Sequence, residues 1–228
     1  MKLPRVFPRA LPLVVLFVGA LAPLLPAETV DLAPVKRWLA KQEELRTLQA
    51  DFTQTRSYKN LRDPLAAPGR LWYSAPGSFR WEVGDPAKTI VLRKGEDYFV
   101  ITPGKRRAER TPTAVLNRPG GGGRAPIVDF PFAKNFEDFN RRFETVAVTT
   151  QGTRCHLEIL PRDSQARNAL AAVRIDFDTD TGHLASFEFV TRDGSSLRNE
   201  FSNVRTNARI DPRQYDYDFT GYEVVDAK

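Results

Sequence analysis

The sequence predicts a mainly β (α+β) protein: one antiparallel sheet of about ten strands with few helices. Apolar and polar residues alternate through a long series of short segments, each ending at a glycine, proline or aspartate turn signal. Only one stretch, near the start, has clear helical spacing. So few helices would cover a large sheet loosely and could leave a groove or cavity. The 15 Phe, 6 Tyr and 3 Trp residues could line it, although a filled core is the ordinary alternative.

The opening helix is predicted from apolar residues that recur at helical spacing between Leu32 and Leu48. Asp31 can cap its start, and Pro34 falls in the first turn, where proline is tolerated. The period then changes to two and the strands begin. The predicted strands are Leu48–Phe52, Leu71–Tyr73, Phe79–Val83, Ile90–Leu92, Tyr98–Ile101, Phe143–Val148, Cys155–Leu160, Val173–Phe177, Leu184–Val190 and Leu197–Val204.

Two breaks interrupt this series. Residues 111–126 are rich in glycine and proline, which predicts a mobile loop with one helical turn over Ala114–Asn117. Phenylalanines spaced by four, three and four residues predict a second short helix over Phe132–Phe143.

The N-terminus has the features of a secretory signal peptide. Three basic residues precede an uncharged apolar run, Leu11–Leu25, and small residues follow it. We expect cleavage after Ala27, which leaves residues 28–228 as a single domain. A retained membrane anchor is the alternative, but the run is short for a span of about 20 residues.

Composition excludes several classes of protein. The chain is 41% apolar and 27% charged, which is typical of a globular protein and not of a disordered one. Its formal net charge of +6 falls to +3 when residues 1–27 are removed. The remaining charge is basic over 88–142 and acidic over 143–228, which favours an interaction face over nucleic-acid binding. One cysteine permits no intramolecular disulfide.

No catalytic, metal or cofactor site is predicted, and we therefore expect a protein that is not an enzyme. Cys155 and His156 are neighbours on a predicted strand, so their side chains point to opposite faces. A buried thiol and a surface histidine are the expected result. Asp176, Asp178 and Asp180 have the opening spacing of a calcium loop but lack its glycine and closing glutamate.

A group of bases flanks one predicted hairpin: Lys105, Arg106, Arg107 and Arg110. A solvated strand face explains such a group. A docking patch for an acidic partner is the alternative.

Two segments resemble the periplasmic outer-membrane lipoprotein carrier family, LolA. The first is Ala50–Thr55 (ADFTQT), directly after the opening helix, and the second is Gly69–Glu82 (GRLWYSAPGSFRWE). Weaker similarity of pattern continues to Phe219. The resemblance implies a curved half-barrel sheet closed by a helical lid over an apolar cavity that holds acyl chains.

The resemblance also implies a function and partners. Such a protein would be a monomer in the periplasm that takes acylated lipoproteins from an inner-membrane ABC transporter and delivers them to an outer-membrane acceptor. A periplasmic binding or sensor module for another lipid or lipid-linked intermediate is the alternative.

Alternation along the first strands predicts the cavity lining, although the hairpin from Ile90 to Ile101 is apolar on both faces and its phase is a guess. The predicted lining residues are Phe52, Leu71, Tyr73, Phe79, Trp81, Val83, Ile90, Leu92, Phe99 and Ile101. Phe79 follows a turn and is expected at the rim, only partly packed, with Trp81 deeper in the core.

One position departs from the family pattern. Ala75 stands where well-studied relatives have an arginine that helps to hold the lid. Arg80 is near in sequence but is expected on the opposite strand face from Phe79 and Trp81.

Overall fold

The structure is a computed structural model, and it describes residues 30–116, 133 and 135–227. The predicted signal peptide lies outside these residues. The helices are α1 (Ala33–Glu43), α2 (Thr113–Leu116), α3 (Phe136–Arg142) and α4 (Ser164–Ala169). The strands are β1 (Thr47–Ser57), β2 (Leu65–Ser74), β3 (Ser78–Val83), β4 (Thr89–Lys94), β5 (Asp97–Thr102), β6 (Arg107–Pro112), β7 (Phe143–Gln151), β8 (Arg154–Pro161), β9 (Leu170–Asp178), β10 (Leu184–Thr191), β11 (Ser196–Thr206) and β12 (Glu223–Asp226).

All twelve strands form one open, curved sheet, in the order β12-β6-β5-β4-β3-β2-β1-β11-β10-β9-β8-β7. Two antiparallel meanders, β1–β6 and β7–β11, are joined where β1 pairs with β11. The mainly β, antiparallel prediction is confirmed. The sheet has two strands more than the ten predicted, because β6 and β12 lack apolar alternation. Among the described strands, only β12 pairs in parallel; it lies beside β6 and forms one edge of the sheet.

The helices begin and end where local chemistry allows. The Asp31 carboxylate accepts the Ala33 N–H at 2.9 Å, and Pro34 lies in the first turn of α1. This helix ends at Glu43, earlier than predicted, because Leu48 already belongs to β1. The single turn predicted over Ala114–Asn117 is found as α2, Thr113–Leu116. Asn117 and the rest of the loop predicted to residue 126 lie outside the described residues. The start of α3 is capped by Asn135, so this helix begins later than Phe132, which lies outside the described residues.

The face of the sheet covered by α1 and α3 is called the inner face here. Trp38 of α1 stacks on Phe177 of β9 with ring centroids 4.5 Å apart. The two helices meet where the Lys36 ammonium lies 4.8 Å above the Phe136 ring. Most of the buried apolar residues form one cluster on this side. Alternation along the strands therefore buries one face under a helical cover, as the sequence predicted.

The opposite, outer face carries a second cluster, and the C-terminal segment after β11 covers it. Tyr217, Phe219 and Tyr222 from this segment pack on a patch contributed by β4, β5 and β6. The Tyr217 and Tyr222 hydroxyls lie 2.6 Å apart. Burial and this hydrogen bond raise the pKa of Tyr217 to about 12. Arg80 also faces outwards and donates to the carbonyls of two segment residues at 3.0 and 3.1 Å.

The group of bases around β6 is partly neutralised within the chain. Arg107 pairs with Glu223 at 3.2 Å, and Arg110 pairs with Asp226 at 2.8 Å. Both acids belong to β12, so the basic middle of the sequence binds part of its acidic end. These exposed pairs align the edge strand and contribute little stability each.

None of the helices in the described part of the chain is long and apolar enough to cross a membrane.

Candidate functional site

A pocket of about 540 Å³, including space open to solvent, lies on the inner face at the end where α1 finishes. Its walls come from both meanders and from the helix. The lining residues are Gln42, Leu45, Leu48, Ala50, Leu71, Phe79, Trp81, Gly182, His183, Leu184, Phe187, Phe201, Val204 and Thr206. Apolar side chains dominate this lining, and ring side chains leave only a narrow free space. The pocket suits an apolar ligand that can displace side chains.

Four rings pack together at the pocket, and they are called the aromatic cluster here: Phe52, Trp81, Phe187 and Phe201. Three of them line the pocket, and Phe52 packs on Trp81 outside the lining. Phe52 stacks on Trp81 with centroids 4.0 Å apart. Phe187 and Phe201 lie 6.2 and 6.1 Å from Trp81 and 5.7 Å from each other. These four residues come from β1, β3, β10 and β11, so the cluster joins both halves of the sheet.

Gly69 makes room for this cluster. It lies opposite Phe52 on β2, and the Phe52 ring fills the space where a side chain would stand. A Cβ at this position would meet the ring at 2.1 Å and the Glu82 carbonyl oxygen at 2.6 Å. The glycine of the Gly-x-Leu segment is therefore required by packing.

The end of α1 meets the β9–β10 turn at the mouth of the pocket. The Gln42 amide donates to the Gly182 carbonyl at 2.8 Å, and Lys41 donates to the Asp180 carbonyl. These bonds fasten the end of α1 to the β9–β10 turn. In the connection between α1 and β1, the Arg46 carbonyl accepts the Ala75 N–H at 2.8 Å, outside the pocket lining. The helix end is therefore held by a few polar contacts near the opening.

The ten predicted lining residues fall into three groups. Leu71, Phe79 and Trp81 line the pocket. Phe52, Tyr73 and Val83 belong to the same apolar cluster or pack against it, outside the pocket lining itself. The remaining four belong to the outer face: Ile90, Leu92, Phe99 and Ile101.

These last four residues were predicted to face inwards, and the structure places them on the outer face of the β4–β5 hairpin instead. Trp81 pairs with Val91, so Val91 shares the inner face while Leu92 points outwards. Tyr98 likewise lies in the inner cluster, whereas the centroids of the Phe99 and Phe219 rings lie 4.9 Å apart on the outer face. The hairpin is apolar on both faces because the C-terminal segment covers its outer side.

Phe79 also differs from its expected state. It is 5% exposed, nearly as buried as Trp81 at 4%, so the expectation of a partly packed rim residue is wrong. Its strand neighbours explain the burial, since Tyr73 and Arg93 pair with it from either side. The Arg93 guanidinium in turn lies 5.5 Å from the Tyr98 ring.

Several pocket residues were missed because they lie on strands in the second half of the chain, and the predicted lining came only from strands in the first half. Phe187 and Phe201 lie on strands whose alternation was visible, and Leu184 and Val204 lie on the same two strands. What the sequence lacked was the pairing of β1 with β11, which brings these residues beside Leu71 and Trp81.

Groups with catalytic potential are placed as the sequence predicted. Cys155 is fully buried, and burial raises the pKa of its thiol. His156 faces the other side of the sheet, with Nδ1 2.7 Å from Asp176. Burial opposes ionisation of Asp176, but hydrogen bonds from Ser186 and His156 outweigh it and lower its pKa. The described residues contain no group of three or more potential metal ligands.

An open antiparallel sheet, a helical cover and an apolar pocket between them define a binding protein for an apolar ligand. The comparisons agree with this class. The sequence profile of the family described as "Outer membrane lipoprotein carrier protein LolA" matches residues 43–218, so the chain belongs to this family.

Named relatives match over most of the chain. An outer-membrane lipoprotein carrier protein of Methylococcus capsulatus is 24% identical over 84% of this chain and 85% of its own length. One of Nitrosomonas europaea is 27% identical over 92% and 96%. Among solved structures, an uncharacterized conserved protein of Thermus thermophilus aligns with a TM-score of 0.51 at 9% identity, over 85% of this chain and 97% of its own. The family is one of carriers and not of enzymes.

Proposed function

We propose that this protein carries acylated lipoproteins through the periplasm, from an inner-membrane ABC transporter to an acceptor at the outer membrane. The observation that carries this proposal is the apolar pocket on the inner face, walled by Leu71, Phe79, Trp81, Phe187 and Phe201. Membership of the lipoprotein carrier family supports the same class of cargo.

The energetics explain why such a carrier is needed. Each methylene of an acyl chain that leaves water contributes about 0.8 kcal/mol, so a multiply acylated protein does not cross an aqueous compartment unaided. An apolar pocket replaces the membrane for these chains during the passage. Because the contacts are non-directional, the same surface accepts chains of different length and releases them without breaking a specific polar bond.

Loading requires movement, because side chains fill most of the pocket in this structure. The rings of the aromatic cluster can rotate or shift, and α1 can tilt away from the sheet. The helix end is held at the mouth by the Gln42 and Lys41 contacts with the β9–β10 turn. Breaking these exposed or half-buried bonds costs little. The larger cost of opening is the exposure of Val35, Trp38 and Leu39, which α1 buries, and acyl chains that replace those apolar contacts would offset it.

The cellular setting belongs to the same proposal. We expect export by the signal peptide of residues 1–27, a mature protein that begins at Glu28, and a monomer in the periplasm. N-terminal sequencing of periplasmic protein would test the cleavage site. Intact protein recovered from the membrane fraction would contradict it.

Release of lipoproteins tests the carrier role. Inner-membrane vesicles that contain the transporter and a newly acylated lipoprotein should release that lipoprotein into solution when ATP and the purified protein are added. A Trp81→Ala variant should release less, because it loses part of the pocket wall. The matched control is Trp72→Ala, since Trp72 faces away from the pocket on the next strand.

Mass spectrometry of protein recovered from the periplasm identifies the ligand independently. Lipoproteins or their acylated N-terminal fragments are the expected cargo. Recovery of a different lipid, with no release from vesicles, would favour the binding or sensor module and refute lipoprotein carriage.

A further inference from the structure

Beyond the aromatic cluster, the inner face carries a buried polar pair that lies outside the pocket lining. Gln54 of β1 and Asn199 of β11 face each other in register, and they are 2% and 0% exposed. The Gln54 Nε2 group donates to the Asn199 Oδ1 atom at 3.1 Å. The next cross-strand neighbour of Asn199 is Phe187, and Phe201 follows two residues along. The pair therefore adjoins the aromatic cluster.

The Arg56 side chain fixes the orientation of both amide groups. Arg56 Nε donates to Gln54 Oε1 at 3.1 Å, and an arginine side chain has no acceptor atom. The Gln54 oxygen must therefore face Arg56, and its NH2 group must face Asn199. The Asn199 oxygen accepts the hydrogen bond from this NH2 group. The Asn199 NH2 group is therefore the one donor of the pair that makes no hydrogen bond within it.

This donor has no hydrogen-bond partner in the structure. A buried polar group without a partner is costly, and most such groups in folded proteins are satisfied. Trp38 Nε1 and Thr145 Oγ1 are the other buried side-chain atoms without a partner among the described residues, and both also lie on the inner side. The outer face has no such atom in the described part of the chain. The unmet donors are therefore confined to the side where a ligand would bind.

We infer that Asn199 Nδ2 donates a hydrogen bond to the carbonyl oxygen of a bound acyl chain. This inference rests on the proposed function and specifies the chemistry of the cargo at one atom. A carbonyl oxygen is an acceptor without a proton, which is the complement that an unpaired NH2 group requires. An alkyl chain without a carbonyl leaves the donor unsatisfied.

The dimensions of the inner face agree with this placement. From Asn199 to Thr206 at the pocket mouth, β11 extends roughly 20 Å. One acyl chain spans half of a bilayer core, or about 15 Å. A chain whose carbonyl meets Asn199 would lie across the aromatic cluster with its end in the pocket, once the side chains that cover Asn199 have moved. Its polar head would then lie towards the exposed Arg56.

Two single-chain probes of equal length test the inference: lysophosphatidylglycerol, which has an ester carbonyl, and its ether-linked analogue, which has none. Titrations below the micelle concentration would be followed by tryptophan fluorescence. The wild-type protein should bind the ester roughly two- to tenfold more tightly, as expected for one net hydrogen bond. Asn199→Leu should bind both probes equally and should keep the affinity for the ether.

Two further variants make the test decisive. Gln54→Met/Asn199→Leu removes the whole polar pair, so it should lose the ester preference without melting below wild type. Thr53→Val changes an exposed polar residue of the same strand on the outer face and should keep the preference. An ester preference that survives in both Asn199 variants, or its absence in wild type, would overturn the inference. Failure of wild type to bind even the ether probe would refute the proposed function itself.

Discussion

Replacing Gly69 with alanine is the sharpest test of the packing at the site. The added Cβ would lie 2.1 and 2.2 Å from two atoms of the Phe52 ring and 2.6 Å from the Glu82 carbonyl oxygen. The carbonyl belongs to the sheet backbone and cannot withdraw. The ring is 2% exposed and stacked on Trp81, so it can move only by disturbing the aromatic cluster.

The expected cost of Gly69→Ala follows from these contacts. Overpacking of a filled core costs about 1–3 kcal/mol. Loss of the Phe52–Trp81 stacking adds about 0.5–1.5 kcal/mol. A destabilisation of roughly 2–4 kcal/mol should lower the melting temperature by about 4–16 °C for a domain of this size.

Urea unfolding followed by tryptophan fluorescence would measure this cost, and the native emission of Trp81 should change as its stacked partner shifts. The matched control is Gly104→Ala. Gly104 lies in a turn where an added Cβ meets nothing within 4 Å and where φ is not positive. If Gly69→Ala melted like Gly104→Ala, the proposed packing of Phe52 on Gly69 and Trp81 would be refuted.

Three further predictions concern the outer segment, acid stability and the mouth. Arg80→Met should cost about 1–3 kcal/mol, because buried Glu82 loses its 2.7 Å partner, and limited proteolysis should then cut the C-terminal segment faster; unchanged cutting would contradict this role. Hydrogen bonds from Thr153 and Thr181 hold the pKa of Asp178 well below its usual range. Its contribution to stability is therefore present above about pH 4 and lost as the pH falls further, and Asp178→Asn should flatten acid melting curves slightly; identical curves would argue against it. Ala75→Arg should slow exchange of an acyl probe, since an arginine can bind several carbonyls near the mouth; unchanged exchange rates would mean that the cover is held elsewhere.

The strand order of each meander was predictable, because alternation and turn signals are local. The prediction that Phe79 and Trp81 of β3 face inwards was also correct, since they alternate with the charged Arg80 and Glu82. Two features were not predictable. The β4–β5 hairpin is apolar on both faces, and its outer cover comes from residues more than a hundred positions later. Strand β6 is rich in charged residues, so its sequence shows no apolar alternation.

The site was half predictable for a similar reason. Leu71, Phe79 and Trp81 follow from local alternation, but their neighbours Phe187 and Phe201 depend on the long-range pairing of β1 with β11. The polar pair Gln54–Asn199 could not be read from sequence at all. Glutamine and asparagine are typical of solvent-exposed strand positions, and only the register between β1 and β11 places these two amides together in the interior.

The central claim is that acyl chains bind on the inner face, and the natural tryptophans can test it. Trp81 lines the pocket, whereas Trp72 faces outwards on the adjacent strand. Two proteins would each retain one of these tryptophans, with the others replaced by phenylalanine. Titration with a fatty acyl probe brominated along its chain should quench the Trp81 protein strongly and the Trp72 protein weakly. Equal quenching of both, or stronger quenching of Trp72, would contradict binding in this pocket.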